Sequence, residues 1–423
     1  MNIIHEITSI PNFLSFMKER NSLVYKIVDF ILISLFILYN AGSAPQLANS
    51  LIVIFTFVFS ACVFLYRKCK INKFFYLFIA IWGIINLISY NVNTIDKVNI
   101  GTFIGWSLRM TMPYFIIKSI GVMFFSKLFN YAFVLVVISL PLFAMEHIFP
   151  SVFSKIAPMF HFITDSEQAQ AGGFYSFVFM HNKWGAEAFR NSGFMWEPGA
   201  YSCILIFLLY YHWFTNGIKL DVKTVIIIIA PLTTFSTAGY LSLFFAVILF
   251  LLSNNWNPFI VSLLIIVFVI GSVKFYNESD FMSKKIELHI KKGTDTYNWS
   301  FEDKKLIRIS RLGIIVVSVD NAIHRPWGEG VFFSDYIIKK YDRVSGPSSI
   351  ADILRIWGWL GIVILLFSLI NFASMFTKNK LAKCAFVISM FIVLSSNPFI
   401  IKYLIYGIFF YVYTYKKYLK TEF

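Results

Sequence analysis

The sequence predicts an all-α, polytopic membrane protein of about twelve transmembrane helices, with a large polar loop between the ninth and tenth. Three observations carry this. Of the 423 residues, 58% are hydrophobic and only 14% charged, and the mean hydropathy is +0.70; soluble domains carry about 25% charged residues. The apolar stretches come in runs of roughly 17 to 25 residues, which suits helices crossing a ~30 Å hydrocarbon core. They lack the ~10-residue alternation of an outer-membrane barrel.

In chain order, spans are predicted over 24–40, 47–66, 74–90, 103–122, 131–149, 195–214, 224–236, 238–253, 258–273, 351–376, 381–397 and 399–415. The joints between them set orientation. Arg67, Lys68, Lys70 and Lys73 form one basic cluster, Lys378, Lys380 and Lys383 a second, and Lys416, Lys417 and Lys420 a third. Twelve crossings with a cytoplasmic N-terminus put all three on the cytoplasmic side, as the positive-inside rule requires. The same bias accounts for most of the net charge of +15, so no nucleic-acid partner is expected. The 49 Phe, 22 Tyr and 10 Trp read as lipid-facing bulk and interfacial anchors. No small-residue cleavage site follows the N-terminus, so no removable signal peptide is expected. Cys62, Cys69, Cys203 and Cys384 lie in or beside hydrophobic runs without metal-ligand spacing, and neither a disulfide nor a metal site is expected.

The stretch 224–253 is too long for one span and short for two, and Pro231 and Gly239 interrupt it. Interruption at membrane depth is tolerated only where the backbone faces protein or a wet cavity, so 233–240 is predicted to turn near the outer face. No internal repeat is visible, which argues against an inverted-repeat transporter. The chain thus reads as a single integral membrane domain, 1–423, with two segments outside, 151–191 and 274–350. Within the larger, 303–322 is predicted to be helical from the spacing of Leu306, Ile309, Ile314, Val317 and Ala322. That helix would set Arg308 and Arg311 on one face. The run His324-Arg325-Pro326-Trp327-Gly328-Glu329-Gly330 then breaks it with a Gly/Pro turn, and Ser345-Gly346-Pro347-Ser348-Ser349 turns again before the tenth span.

Polar residues are expensive at a membrane boundary, and 190–202 concentrates Arg190, Glu197 and two glycines there. Arginine reads phosphate well because its planar fork donates bidentate hydrogen bonds and keeps its charge; the alternative for each outer arginine is snorkelling to headgroups. Glu197 opens a span, where the helix dipole favours an acid as a cap. An acid at membrane depth is otherwise functional and needs a partner, for which Arg190 is the obvious choice. His181 and His324 could accept protons, although a lone loop histidine is ordinarily just polar. Glu146 and His147 read as interfacial, and Asp29 as pairing locally beside Lys26. No Walker loop, dinucleotide glycine motif, nucleophile elbow or zinc motif occurs, so ATP hydrolysis, redox and protease chemistry have no support.

At these residues the chain resembles a family. Arg190-Asn-Ser-Gly193-Phe-Met-Trp-Glu197-Pro198 looks like the R-x-x-G-x-x-x-E-P element of bacterial O-antigen and capsule polymerases of the Wzy type, which share a superfamily with the O-antigen ligases. The run 233–241 resembles its T-x-S-x-x-G-x-L break, with Thr237 where an arginine often follows the serine. Arg308 and Arg311, followed by Arg325-Pro326-Trp327-Gly328-Glu329-Gly330, look like the R…P-x-G-x-G pattern of the large periplasmic loop. The ligases resemble one another in a histidine late in that loop, where this chain has Ser345 to Ser349 and no histidine.

The resemblance implies an inner-membrane glycosyltransferase with both termini cytoplasmic and no cofactor. Its substrates are undecaprenyl-diphosphate-linked glycans. The growing glycan passes to a hydroxyl of the next lipid-linked repeat unit, and undecaprenyl diphosphate leaves. Membrane lipid and a chain-length regulator protein are further partners it implies. Arg190 and Arg311 would hold the diphosphate, whose developing charge preorganised donors stabilise, with Arg308 and Arg325 assisting. Glu197 would orient Arg190 or the acceptor hydroxyl, and Gly193 would let the backbone come close. Tyr240 joins the substrate-binding set, and Glu197, Asp335 and His181 are the candidates for the base. The alternatives are a ligase-type transferase and, from a different class, a lipid-linked oligosaccharide flippase or exporter. A flippase should show short outer loops and repeat-like halves.

Overall fold

The computed structural model describes residues 22–41, 50–92, 100–161, 172–181, 190–257, 311–331, 343–397 and 403–419, the strands 297–299 and 306–308, and a few isolated positions. Among these residues the protein is mostly helical. The helices are α1 (Leu23–Ala41), α2 (Ser50–Tyr66), α3 (Lys73–Val92), α4 (Ile100–Ile120), α5 (Phe124–Ile148), the short α6 (Pro150–Ile156), α7 (Pro198–Asn216), α8 (Val222–Thr233), α9 (Thr237–Ser253), α10 (Arg311–His324), α11 (Ser349–Phe376), α12 (Lys380–Ser395) and α13 (Tyr403–Leu419). Each predicted span except 258–273, which lies largely outside the described residues, contains one of these helices. Four stretches, Leu23–Asn40, Lys73–Val92, Phe124–Ile148 and Ser349–Phe376, are long and apolar enough to cross a membrane. That is the signature of a membrane protein.

Helix α7 is the axis of the bundle. It is apolar on nearly every side, and each residue from Pro198 to Phe214 is buried, as a helix surrounded by other helices must be. It packs against α8, α9 and α12, while α13 packs against α4 and α11. The break between α8 and α9 falls where Pro231 and the 233–240 run predict it, with Ser236 capping α9 through the Gly239 amide.

Among the described residues, five short strands accompany the helices. β1 (Phe174–Tyr175) pairs antiparallel with β2 (Met180–His181). β4 (Leu306–Arg308) lies between β3 (Tyr297–Trp299), antiparallel, and β5 (Arg343–Ser345), parallel. The predicted helix over 303–322 is therefore corrected: helix begins only at Arg311, and Arg308 stands in a strand, so the two arginines do not share a helical face. Leu306-Ile307-Arg308 satisfies helical spacing on paper, but its backbone pairs with the nearby β3 and with β5, which is distant in sequence, and local periodicity cannot register either pairing.

One kink positions the N-terminal part of α11. Gly358 has φ +62°, and a Cβ there would lie 2.0 Å from the Pro326 carbonyl oxygen. The turn at 326–330 docks against the opened helix. Trp359 N–H donates to Pro326 O at 3.0 Å, Glu329 N–H to Arg355 O at 2.8 Å, and Gly330 N–H to Ile356 O at 3.0 Å. The helix loses its own ladder at the kink and the turn replaces it. The Trp359 indole further donates to Ala322 O at 3.1 Å, fixing α10 on α11.

Candidate functional site

The Arg190 loop is anchored by backbone bonds. Asn191 N–H donates to Thr233 O at 3.0 Å, its side-chain amide donates to Thr233 Oγ1 at 2.9 Å, and its Oδ1 accepts from Gly193 N–H at 2.8 Å. Gly193 takes φ +51°, and a Cβ on it would lie 2.4 Å from the Tyr201 ring, so both its conformation and its packing require glycine. Arg190 is buried and its Nε donates to Thr234 O at 3.0 Å, a carbonyl just past the end of α8. Glu197 stands at the N-cap of α7 with extended backbone and no side-chain capping bond, and its carbonyl accepts from Tyr201 N–H at 3.1 Å.

Three helix N-termini meet beside this loop. Ser202, in the first turns of α7, reaches the α9 cap Ser236 at 3.3 Å. Gly239 lets the two helices touch, since a Cβ there would sit 2.7 Å from Ser202 Cβ. Asn397, just past α12, joins α7 to α11. Its carbonyl accepts from Ser349 N–H at 2.8 Å and from the Ser349 hydroxyl, while its Oδ1 faces Gly199 so closely that a Cβ there would lie 2.6 Å away. Helix N-termini carry partial positive charge and unused N–H donors. Here the α7 and α9 N-termini meet each other and Asn397 joins the α11 N-terminus to α7, while Arg190 itself donates to the carbonyl that caps the C-terminus of α8. Ser192 Oγ and Asn397 Oδ1 are buried with no hydrogen-bond partner among the described residues, and unsatisfied buried polar atoms of this kind mark sites that need an explanation.

The other predicted residues fall as follows. Arg308 is set opposite Ser345 by the parallel β4–β5 pairing, and Ser345 lies just before α11, so this pairing brings the Arg308 backbone toward the α11 N-terminus; the Arg308 side chain lies outside the described residues. Arg311 opens α10 and is partly exposed. Arg325 follows α10; its N–H donates to Asn321 O at 2.7 Å and its carbonyl accepts from Gly328 N–H at 3.0 Å. Tyr240 donates its hydroxyl to Leu232 O at 2.8 Å, bracing the α8–α9 break. Asp335 lies outside the described residues. His181 is buried in β2, where its Nδ1 meets Glu146 Oε1 at 2.5 Å. Glu146, expected at the interface with water, is thus buried beside an imidazole. Asp29, expected to pair locally near Lys26, instead pairs across the bundle with Arg67 at 2.5 Å and with Lys127.

Sequence reading missed Ser202, Ser236, Ser349 and Asn397 as members of one site. Their only signal was position: each opens or closes a helix at the same end of the bundle. Scans against protein-family models, curated proteins and solved structures find no match to this chain.

Proposed function

We propose that this chain polymerises undecaprenyl-diphosphate-linked oligosaccharide repeat units at the periplasmic face of the bacterial inner membrane, crossing it twelve times with both termini cytoplasmic. One observation carries the reading: the α7, α9 and α11 N-termini come together through Ser202, Ser236 and Asn397, with the Arg190 loop tied to the adjoining α8–α9 break. Transfer breaks the bond between the anomeric carbon and the diphosphate, and negative charge grows on the leaving oxygen. Fixed N–H donors and an arginine fork aimed at that charge stabilise it without reorganisation. Arg311 and Arg308 would approach from the loop that β4 and β5 hold near α11.

An apolar groove also fits the reading. It is partly open and lies along α11, lined by Phe78, Ile353, Trp357, Leu365, Tyr406 and Phe409. A polyprenyl tail lying there would leave its diphosphate near the helix N-termini.

The test is the glycan made by a strain lacking this chain. Acceptor carrying single repeat units supports the polymerase. Long chains accumulating on the undecaprenyl carrier would point to the ligase, and repeat units trapped on the cytoplasmic side to the flippase; either sinks the reading.

A further inference from the structure

Glu146 lies in the last turn of α5, and His181 closes β2. Their side chains are 7% and 3% exposed, and Glu146 Oε1 meets His181 Nδ1 at 2.5 Å. The imidazole lies between Phe153 and Phe174, with ring centroids 5.4 and 5.3 Å away, and its Nε2 is buried without a hydrogen-bond partner among the described residues. Apolar residues of similar size would fill this spot at less cost, because taking an acid and an imidazole out of water is expensive. What the pair adds over an apolar contact is direction.

Direction matters because β1 and β2 are only two residues long, with Phe174 opposite His181 and Tyr175 opposite Met180. So short a ladder specifies its own register weakly, and a slip by one residue would turn His181 to the other face. The register bears on the Arg190 loop directly. Met180 N–H donates to Gly193 O at 2.6 Å, Gly193 N–H to Asn191 Oδ1 at 2.8 Å, and Asn191 N–H to Thr233 O at 3.0 Å. Hydrogen bonds and two short chain steps thus connect the end of α5 to the residue beside Arg190.

We propose that Glu146 and His181 are positioning residues, which pin β2 to the end of α5 and so set where the Arg190 guanidinium is presented. The pinning stands on geometry; its consequence for turnover rests on the polymerase reading. Amide hydrogen exchange on the purified full-length protein reads the pinning without activity. Glu146→Ala and His181→Ala should speed exchange at Met180, Asn191 and Gly193 at least tenfold while the α7 amides keep their protection. His181→Asn, whose amide nitrogen falls where Nδ1 was, should restore protection; His181→Gln, which reaches instead toward the Nε2 position, should not. If the alanine variants do not fold, the Asn and Gln variants decide between them. Unchanged exchange in the alanine variants, or equal protection in Asn and Gln, overturns the proposal. Long glycan chains should be lost in the same order as protection. If exchange responds as expected while Arg190→Ala still makes normal chains, the pinning stands and the polymerase reading falls. If exchange does not respond while Arg190→Ala abolishes chains, the reverse holds.

Discussion

Arg67 and Arg190 both bury their side chains, at opposite ends of the helix bundle, and each donates to a carbonyl at the end of a helix; what else gathers beside them differs. Arg67 follows the C-terminus of α2 and donates to Ser119 O at 2.8 Å, in the last turn of α4, and to Tyr25 O at 3.3 Å. It pairs with Asp29 at 2.5 Å and covers the Tyr25 ring at 4.6 Å, and Lys127 takes the other Asp29 oxygen. Helix C-termini carry partial negative charge, so cations, acid and dipoles balance there from within the chain. Arg190 donates to Thr234 O at the end of α8, and the α7, α9 and α11 N-termini come together through Ser202, Ser236 and Asn397 close to its loop. The first arrangement is balanced by a carboxylate on α1; the second, under the proposed function, would receive an anion brought from outside. Buried arginines are thus told apart less by their burial than by what the chain gathers beside them.

The sharpest way to break this comparison is at Arg190. Arg190→Ala should lower formation of long glycan chains about 10²- to 10³-fold, the loss typical of removing one donor to developing charge, with little change in thermal midpoint. Arg190→Lys should fail nearly as badly, because an ammonium lacks the planar fork. Normal chain lengths in the lysine variant would reduce the claim to simple charge.

At the opposite end the expected effect is on stability. Asp29→Ala leaves Arg67 and Lys127 without their carboxylate, which for a buried pair costs about 3–5 kcal/mol. Thermal unfolding in detergent should show the loss, while each molecule that remains folded keeps its turnover. A large fall in turnover per folded molecule would erase the distinction between the two ends.

The smallest expected effect also belongs to the Arg67 end, where His212 of α7 meets Asp221 at 2.9 Å. Burial pushes the Asp221 carboxyl up, but hydrogen bonds from the Thr224 amide and from His212 outweigh it and hold it down at about 2. A carboxyl lowered on folding lends stability above its unfolded pKa, near 4, and loses it as pH falls through the folded value. The unfolding midpoint of Asp221→Asn should therefore lie slightly below wild type at neutral pH, by less than about 1 kcal/mol for so exposed a group. The two midpoints should converge between about pH 4 and 2; a difference that persists at pH 2 would assign the effect to packing.

The helices were legible because each is a local event. Apolar runs interrupted by charged or Gly/Pro joints place them to within a few residues, and Pro231 with the 233–240 run marks the α8–α9 break. Arg190, Gly193 and Glu197 were legible as an anomaly, since polar residues at a membrane boundary need a reason. Arg308 was misassigned because a three-residue strand carries no periodic signal of its own. Glu146 was misread because its partner His181 lies thirty-five residues away.

By itself the sequence determined a helical membrane protein with an arginine-bearing stretch at the mouth of an apolar helix, since hydropathy and local turn chemistry act over a few residues at a time. Only the tertiary structure decided that Ser202, Ser236, Ser349 and Asn397 meet beside that stretch, that Asp29 pairs with Arg67 and Lys127, and that Glu146 faces His181. These are encounters between segments far apart in the chain. They depend on which helix ends pack together, and no local pattern of residues encodes that.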